Sequence, residues 1–355
     1  MKTTRAALSQ HSLWSLSLSL LCLIGLPACR LAETRASSAQ GSESPVVAQV
    51  PAGVEGSVEP EVQLRVLAST SFIADIVQNV AGDRLQVDSL IPIGVDPHGF
   101  EPAPSDLRRV ADSQVLIVNG GGFEEFLGSL LENVGGERLL IEASAGLEMR
   151  QIPESEEALF AHAHGHGHSH DHSHGHSHAH DGDPHFYLDP LQVIRYVENI
   201  RAGLTEADPP GADVYAENAA AYIAQLQELD AWIQEQVAQI PEANRLLVTN
   251  HDTLGYFADR YGFRVIGTIL PGVSTNVSPS AQELASLIDT LQETQVPAIF
   301  LETGNNPQLA EQLAQELNLQ VKRLYSHSTS TADGPAATYL DMMRYNTETI
   351  VTALQ

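Results

Sequence analysis

Cysteine is almost missing from this chain of 355 residues: there are two, Cys22 and Cys29. Everything after Cys29 is free of thiols, which excludes disulfide staples and thiolate metal sites there. A metal held beyond that point must be held by His, Asp or Glu. Basic residues are scarce as well, 18 Lys and Arg against 45 Asp and Glu, for a formal net charge of −27. That balance excludes the basic face a nucleic-acid partner requires, and most of the acid is expected on a solvated surface. The chain also has no HExxH and no GxSxG, so two common hydrolase signatures are absent. Long apolar runs are missing too, with one exception.

The exception is Leu13 to Leu26, preceded by Lys2 and Arg5. The run is short and interrupted by Ser, which suits a signal peptide better than a membrane span. It ends in Leu26-Pro27-Ala28-Cys29, which resembles a bacterial lipoprotein box apart from the unusual Pro27. The expectation is a signal peptide over 1–28, cleaved to leave Cys29 as an acylated, membrane-anchored first residue. Ordinary secretion without the anchor is the alternative. Residues 29–62, rich in Ser, Ala, Gly, Glu and Pro, have no apolar period and read as a flexible tether.

From Leu64 onward, short apolar runs alternate with amphipathic stretches, the pattern of parallel sheet covered by helices. Strands are predicted over Arg65–Ser69, Leu85–Ile91, Val115–Asn119 and Leu139–Glu142, with helices over Phe72–Val80 and Glu124–Asn133. A helix from Pro190 to about Leu204 and a Pro/Gly breaker at 208–211 lead into a long helix over 212–240. On that helix Val214, Tyr222, Leu226, Leu229, Ile233 and Val237 recur at a spacing of three or four, giving one apolar face. Trp232 is read as packing, not as a binding aromatic. The strand–helix pattern then restarts, with strands at Leu246–Thr249, Phe263–Ile269, Ala298–Leu301 and Val321–Leu324. Helices fall near Leu254–Arg260, Ala281–Thr294 and Gln308–Leu317, and Tyr339–Leu354 closes the chain.

The expected fold class is therefore α/β, with two similar lobes of mainly parallel sheet bridged by the long helix. The first lobe spans 63–186, the connecting helices 187–240 and the second lobe 241–355. A ligand belongs in the cleft between the lobes, because open α/β sheets bind at the carboxyl ends of their strands.

Histidine is abundant, and its distribution is informative. Of fifteen, ten occupy every even position from His162 to His180, and His11 lies in the expected signal peptide. Only His98, His185, His251 and His327 remain in the folded part, each in a loop after a predicted strand or before a helix. A single such histidine is usually a hydrogen-bonded loop residue. Four sharing one topological placement, with no thiol available, suit an imidazole-rich zinc site.

The segments around them are specific. His98 lies in IPIGVDPHGFEP, His185 in DPHFYLDP, His251 in TNHDTLGYFADRYG, and LYSHSTS precedes TYLDMMRYN near the end. These resemble the four signature segments of the zinc and manganese solute-binding proteins of ABC importers (cluster A-I), in order, from Leu64 to Gln355. The resemblance implies extracytoplasmic capture of a divalent ion and its delivery to the membrane permease of an importer, by a protein acting as a monomer and not as an enzyme. It implies that His98, His185 and His251 are metal ligands. Manganese-binding relatives often place carboxylates at the third and fourth positions, where this chain has His251 and His327, so the substitutions point to zinc. The fourth donor is His327 in the preferred reading, with Glu302 or water as alternatives. Asp96, Glu101, Asp189 and Asp252 are candidates to orient the ligands by accepting the other ring N–H, and Asp189 has the competing reading of a helix cap.

The insert at 161–181 has almost no apolar content, so it is not expected to fold by itself. Its imidazoles suit weak capture, buffering or sensing of zinc. Two other readings compete with transport: manganese or another divalent ion as cargo, and a zinc-dependent hydrolase with an open water position on the metal.

Overall fold

The computed structural model describes residues 64–151 and 182–355. The expected signal peptide, Cys29, the tether at 29–62 and the histidine-rich insert at 161–181 lie outside the described residues.

The first sheet contains β1 (Val66–Ala68), β2 (Val87–Ser89), β3 (Val115–Val118) and β4 (Leu139–Glu142), all parallel and ordered β2-β1-β3-β4. Its helices are α1 (Ser71–Ala81), α2 (Pro104–Asp112) and α3 (Leu127–Val134). The connecting helices are α4 (Pro190–Ala207) and α5 (Ala212–Val237). The second sheet contains β5 (Leu246–Thr249), β6 (Arg264–Thr268), β7 (Ala298–Glu302) and β8 (Gln320–Leu324), again parallel and ordered β6-β5-β7-β8. Its helices are α6 (Gly255–Tyr261), α7 (Ala281–Thr294), α8 (Gln308–Leu317) and α9 (Tyr339–Leu354). Both sheets thus follow the same order in chain sequence, second-first-third-fourth. This is the α/β architecture expected, two parallel-sheet lobes joined by a long helix.

Local chemistry explains the elements that frame the cleft. Thr70 caps α1 by accepting from the Ile73 N–H, and the helix buries Phe72, Ile73, Ile76, Val77 and Val80 before Gly82 ends it at φ 58°. Asp189 caps α4 through the Leu191 N–H, and Pro190 takes the first helical position, where no backbone donor is needed. Ser280 and Glu283 form a reciprocal capping box on α7.

One core runs from α1 and β1 through α4 and α5 to α6 and α9, so the long helix is shared by both lobes. Its buried face is Tyr215, Ala219, Tyr222, Leu226, Leu229, Ile233 and Val237. Val214 is not on that face; it is exposed, and the neighbouring Tyr215 takes the buried position. Trp232 packs against the core with the Arg344 guanidinium 5.1 Å from its ring centre. Among the described residues, no helix is long and apolar enough to cross a membrane.

Candidate metal centre

The carboxyl ends of the strands point the connecting loops into the cleft. His98 lies between β2 and α2, and His185 just before a single helical turn (Phe186–Leu188) that leads into α4. His251 follows β5 by two residues and His327 follows β8 by three.

The four histidines are buried, and one ring nitrogen of each lies within 4.8 Å of the others. All six ring-centre separations fall between 5.0 and 5.7 Å. The Nε2 atoms of His98 and His185 are 3.3 Å apart. That matches the edge of a tetrahedron of nitrogens around zinc, about 3.3–3.4 Å for bonds of about 2.0–2.1 Å. The buried Nε2 atoms of His251 and His327 have no hydrogen-bond partner, a costly state unless a ligand supplies one.

Each Nδ1 faces a different carboxylate. Asp183 Oδ1 lies 2.8 Å from His185 and Asp96 Oδ1 lies 3.5 Å from His327. Glu302 Oε2 is 3.6 Å from His251, and Glu125 Oε1 is 3.8 Å from His98. Only the first is a full hydrogen bond; the others act as nearby negative charge. Together they favour the tautomer protonated on Nδ1, which leaves the Nε2 lone pairs free for a metal.

Burial, reinforced by the neighbouring His251 ring, holds His98, His185 and His327 below the ordinary histidine range. Neutral imidazole is the metal-binding form. The His98 ring, helped by Ser274 and Asn276, draws the Glu125 carboxyl down to about 2. Phe123 closes one side with its ring 5.1 Å from His98, 5.7 Å from His185 and 5.9 Å from His327.

The repeated Asp-Pro-His tripeptide does the same local work twice. Asp96 accepts the His98 backbone N–H at 3.1 Å, and Asp183 accepts that of His185 at 2.9 Å. Beyond that the two diverge: Asp183 also takes its own histidine's ring nitrogen, whereas Asp96 turns to His327.

Arg150 ties this region to the second lobe. Its backbone N–H donates to the Tyr256 hydroxyl at 2.7 Å, and its Nε donates to Asp259 at 2.8 Å. Its Nη1 lies 4.0 Å from the carboxylates of both Asp183 and Asp252.

The residues expected to orient the ligands are partly corrected. Asp96 does face one of the four rings, that of His327. Glu101 is exposed. Asp189 is a helix cap, and Asp252 faces Arg150. Glu302, considered as a fourth donor, stands behind His251. Glu125 and Asp183 were missed. Asp183 had a signal in the second Asp-Pro-His; Glu125 had none, since only the fold brings it to His98.

Residues 66–353 match the family described as the periplasmic component A of the zinc-uptake complex. The manganese-binding lipoprotein MntA of Halalkalibacterium halodurans is 32% identical over 314 residues, covering 87% of this chain and 96% of that protein. The manganese ABC transporter substrate-binding lipoprotein PsaA of Streptococcus pneumoniae is 26% identical over 299 residues, covering 82% and 89%. The periplasmic zinc-binding protein TroA of Treponema pallidum superposes with a TM-score of 0.69 at 27% identity, covering 82% of this chain and 99% of that one.

Proposed function

The chain belongs to the periplasmic zinc-uptake component A family, and from that premise we propose that its cargo is one zinc ion held by His98, His185, His251 and His327. The family is one of extracytoplasmic solute-binding proteins that bind divalent metal for ABC importers and are not enzymes. The hydrolase reading therefore falls away. Zinc is the finer step, and one observation carries it: four buried imidazoles converge, and among the described residues no carboxylate joins that group. A nitrogen-only tetrahedral set suits Zn²⁺, whereas Mn²⁺ prefers carboxylate and water oxygen.

The second reading is manganese, and the relatives favour it: MntA and PsaA are both named for that metal. Those names weigh against zinc, and the donor set weighs for it. In either case the ion passes to a membrane permease, which must open the cleft between the lobes to withdraw it. Acylation of Cys29 would keep the protein, acting as a monomer, beside that permease.

Metal analysis separates the two. Full-length protein and a form lacking 161–181 are loaded from an equimolar mixture of zinc and manganese, then washed free of weakly held ions. One zinc per molecule is expected to remain in both. Retention of manganese in its place would overturn the zinc assignment, and loss of all metal on deletion would overturn the cleft site.

A further inference from the structure

A segment of the second lobe, between β6 and α7, crosses the cleft to the first. Three consecutive side chains on it each reach a first-lobe group beside the histidines. The Ser274 hydroxyl donates to Glu125 Oε1 at 2.8 Å, and the Thr275 hydroxyl donates to Asp96 Oδ2 at 2.5 Å. The Asn276 amide donates to the His98 carbonyl at 2.6 Å and to Glu125 Oε2 at 3.1 Å. Glu125 and Asp96 are the carboxylates facing the rings of His98 and His327.

We propose that Ser274, Thr275 and Asn276 are positioning residues that retain the metal: they bridge the lobes and help orient the two partly exposed carboxylates that in turn orient His98 and His327. The proposal rests on the four-histidine site described above.

Three arguments support the role. First, the other two carboxylates need no such help. Asp183 and Glu302 have side chains 0% and 1% exposed, while Asp96 and Glu125 are 17% and 31% exposed. Water competes for the exposed pair, so their aim depends on fixed donors. Second, all three side chains of this strap, residues 274–276, are used, and the two carboxylates they hold face one histidine from each lobe, His98 and His327. Third, the two lobes also touch beside the strap. Gly304, at φ 92°, brings its α-carbon so near the Gly94 carbonyl that an added β-carbon would lie 3.0 Å from it. The Gly94 N–H donates to Ser328 Oγ at 3.0 Å. These contacts set the separation of the lobes without touching the carboxyl groups; the His98 N–H holds Asp96 Oδ1, and residues 274–276 hold Asp96 Oδ2 and both oxygens of Glu125. Opening the cleft to release the ion must break these bonds, which takes a donor from each carboxylate and loosens both rings at once.

The test is metal release from the full-length protein. Zinc-loaded protein is mixed with excess chelating dye, and the slowest phase is followed as cleft release, since the insert is expected to give up its ions faster. Thr275→Val and Asn276→Ala, singly and together, are expected to speed that phase by about tenfold or more, the scale at which partners of metal ligands act. Thr275→Ser should restore the slow rate, and the thermal midpoint of the metal-free protein should stay within a few degrees. Val277→Ala, at an exposed neighbour on the same segment, should leave release unchanged. Unaltered release in the double variant would overturn the proposal, as would equal acceleration in Val277→Ala. A wild-type protein with no slow phase would instead overturn the metal site on which it rests.

Discussion

His251 and His98 reach the same cluster from opposite kinds of support. His251 follows β5 by two residues, and its facing carboxylate Glu302 is the last residue of β7, the strand beside β5. His98 sits in the middle of a loop between β2 and α2, and its carboxylate Glu125 comes from another loop, after β3. One half of the site is aimed by neighbouring strands of a sheet. The other half is aimed by loop side chains held across the cleft. Side chains carried on strands are aimed more tightly than side chains carried on loops.

The comparison breaks most completely if the lobes lose their tie. Arg150 is buried with Asp183 and Asp252 beside it, and its side chain reaches α6 through Asp259. Arg150→Met leaves two buried carboxylates without that cation. Removing one partner of a buried ion pair costs about 3–5 kcal/mol, and urea denaturation of the metal-free protein should show a loss of that size. A loss under about 1 kcal/mol, the scale of an exposed pair, would mean that the lobes are joined without help from Arg150.

The next effect separates the two halves directly. Glu302→Gln removes a charge with a 1% exposed side chain, in a place where water cannot substitute. Glu125→Gln removes one that is 31% exposed. Partners behind metal ligands are worth roughly 10–100-fold in affinity, and the buried member belongs near the upper end. Competition titrations should therefore find zinc weakened by about 100-fold in Glu302→Gln and by about 10-fold in Glu125→Gln. Equal losses would show that strand and loop support do not differ in effect.

How far the same contrast was legible in the sequence depends on how local its causes are. Strands β4 and β5 and helices α7, α8 and α9 have the limits predicted from apolar spacing and caps. Helix α2 was not predicted, because Pro104–Asp112 buries only Val110 and so carries almost no apolar period. Val214 fits the apolar spacing of α5 but is exposed, and the amphipathic ring of Tyr215 is the one inside. The four histidines stood out because the folded part has so few and each follows a motif. Asp183 could have been found by comparing its Asp-Pro-His with that of Asp96. Glu125 and the strap residues could not. Their contacts join segments 27 to 179 positions apart in sequence, and only packing brings them together.

The smallest effect is on pH dependence, and it divides the folded site from the insert. Burial lowers His98, His185 and His327 below the ordinary value of 6.5. In the unfolded chain these rings take up protons as pH falls through about 6.5, while the folded protein resists. The unfolded state then binds more protons, so stability rises with pH in this window and falls as pH drops below about 6.5. Metal-free protein should therefore show a flat thermal midpoint above neutrality and a declining one on acidification. Zinc in the cleft raises the cost of protonation further, since each proton must displace a metal bond. Zinc held by the ten imidazoles of the insert should leave as pH falls through about 6.5, where free imidazole takes up a proton, before the last ion is lost. Zinc release followed against pH should show two stages, with the acidic stage alone surviving deletion of 161–181. A single stage near 6.5 in both proteins would mean that burial does not protect the cleft histidines from protons, and the distinction between a built site and a loose reservoir would go with it.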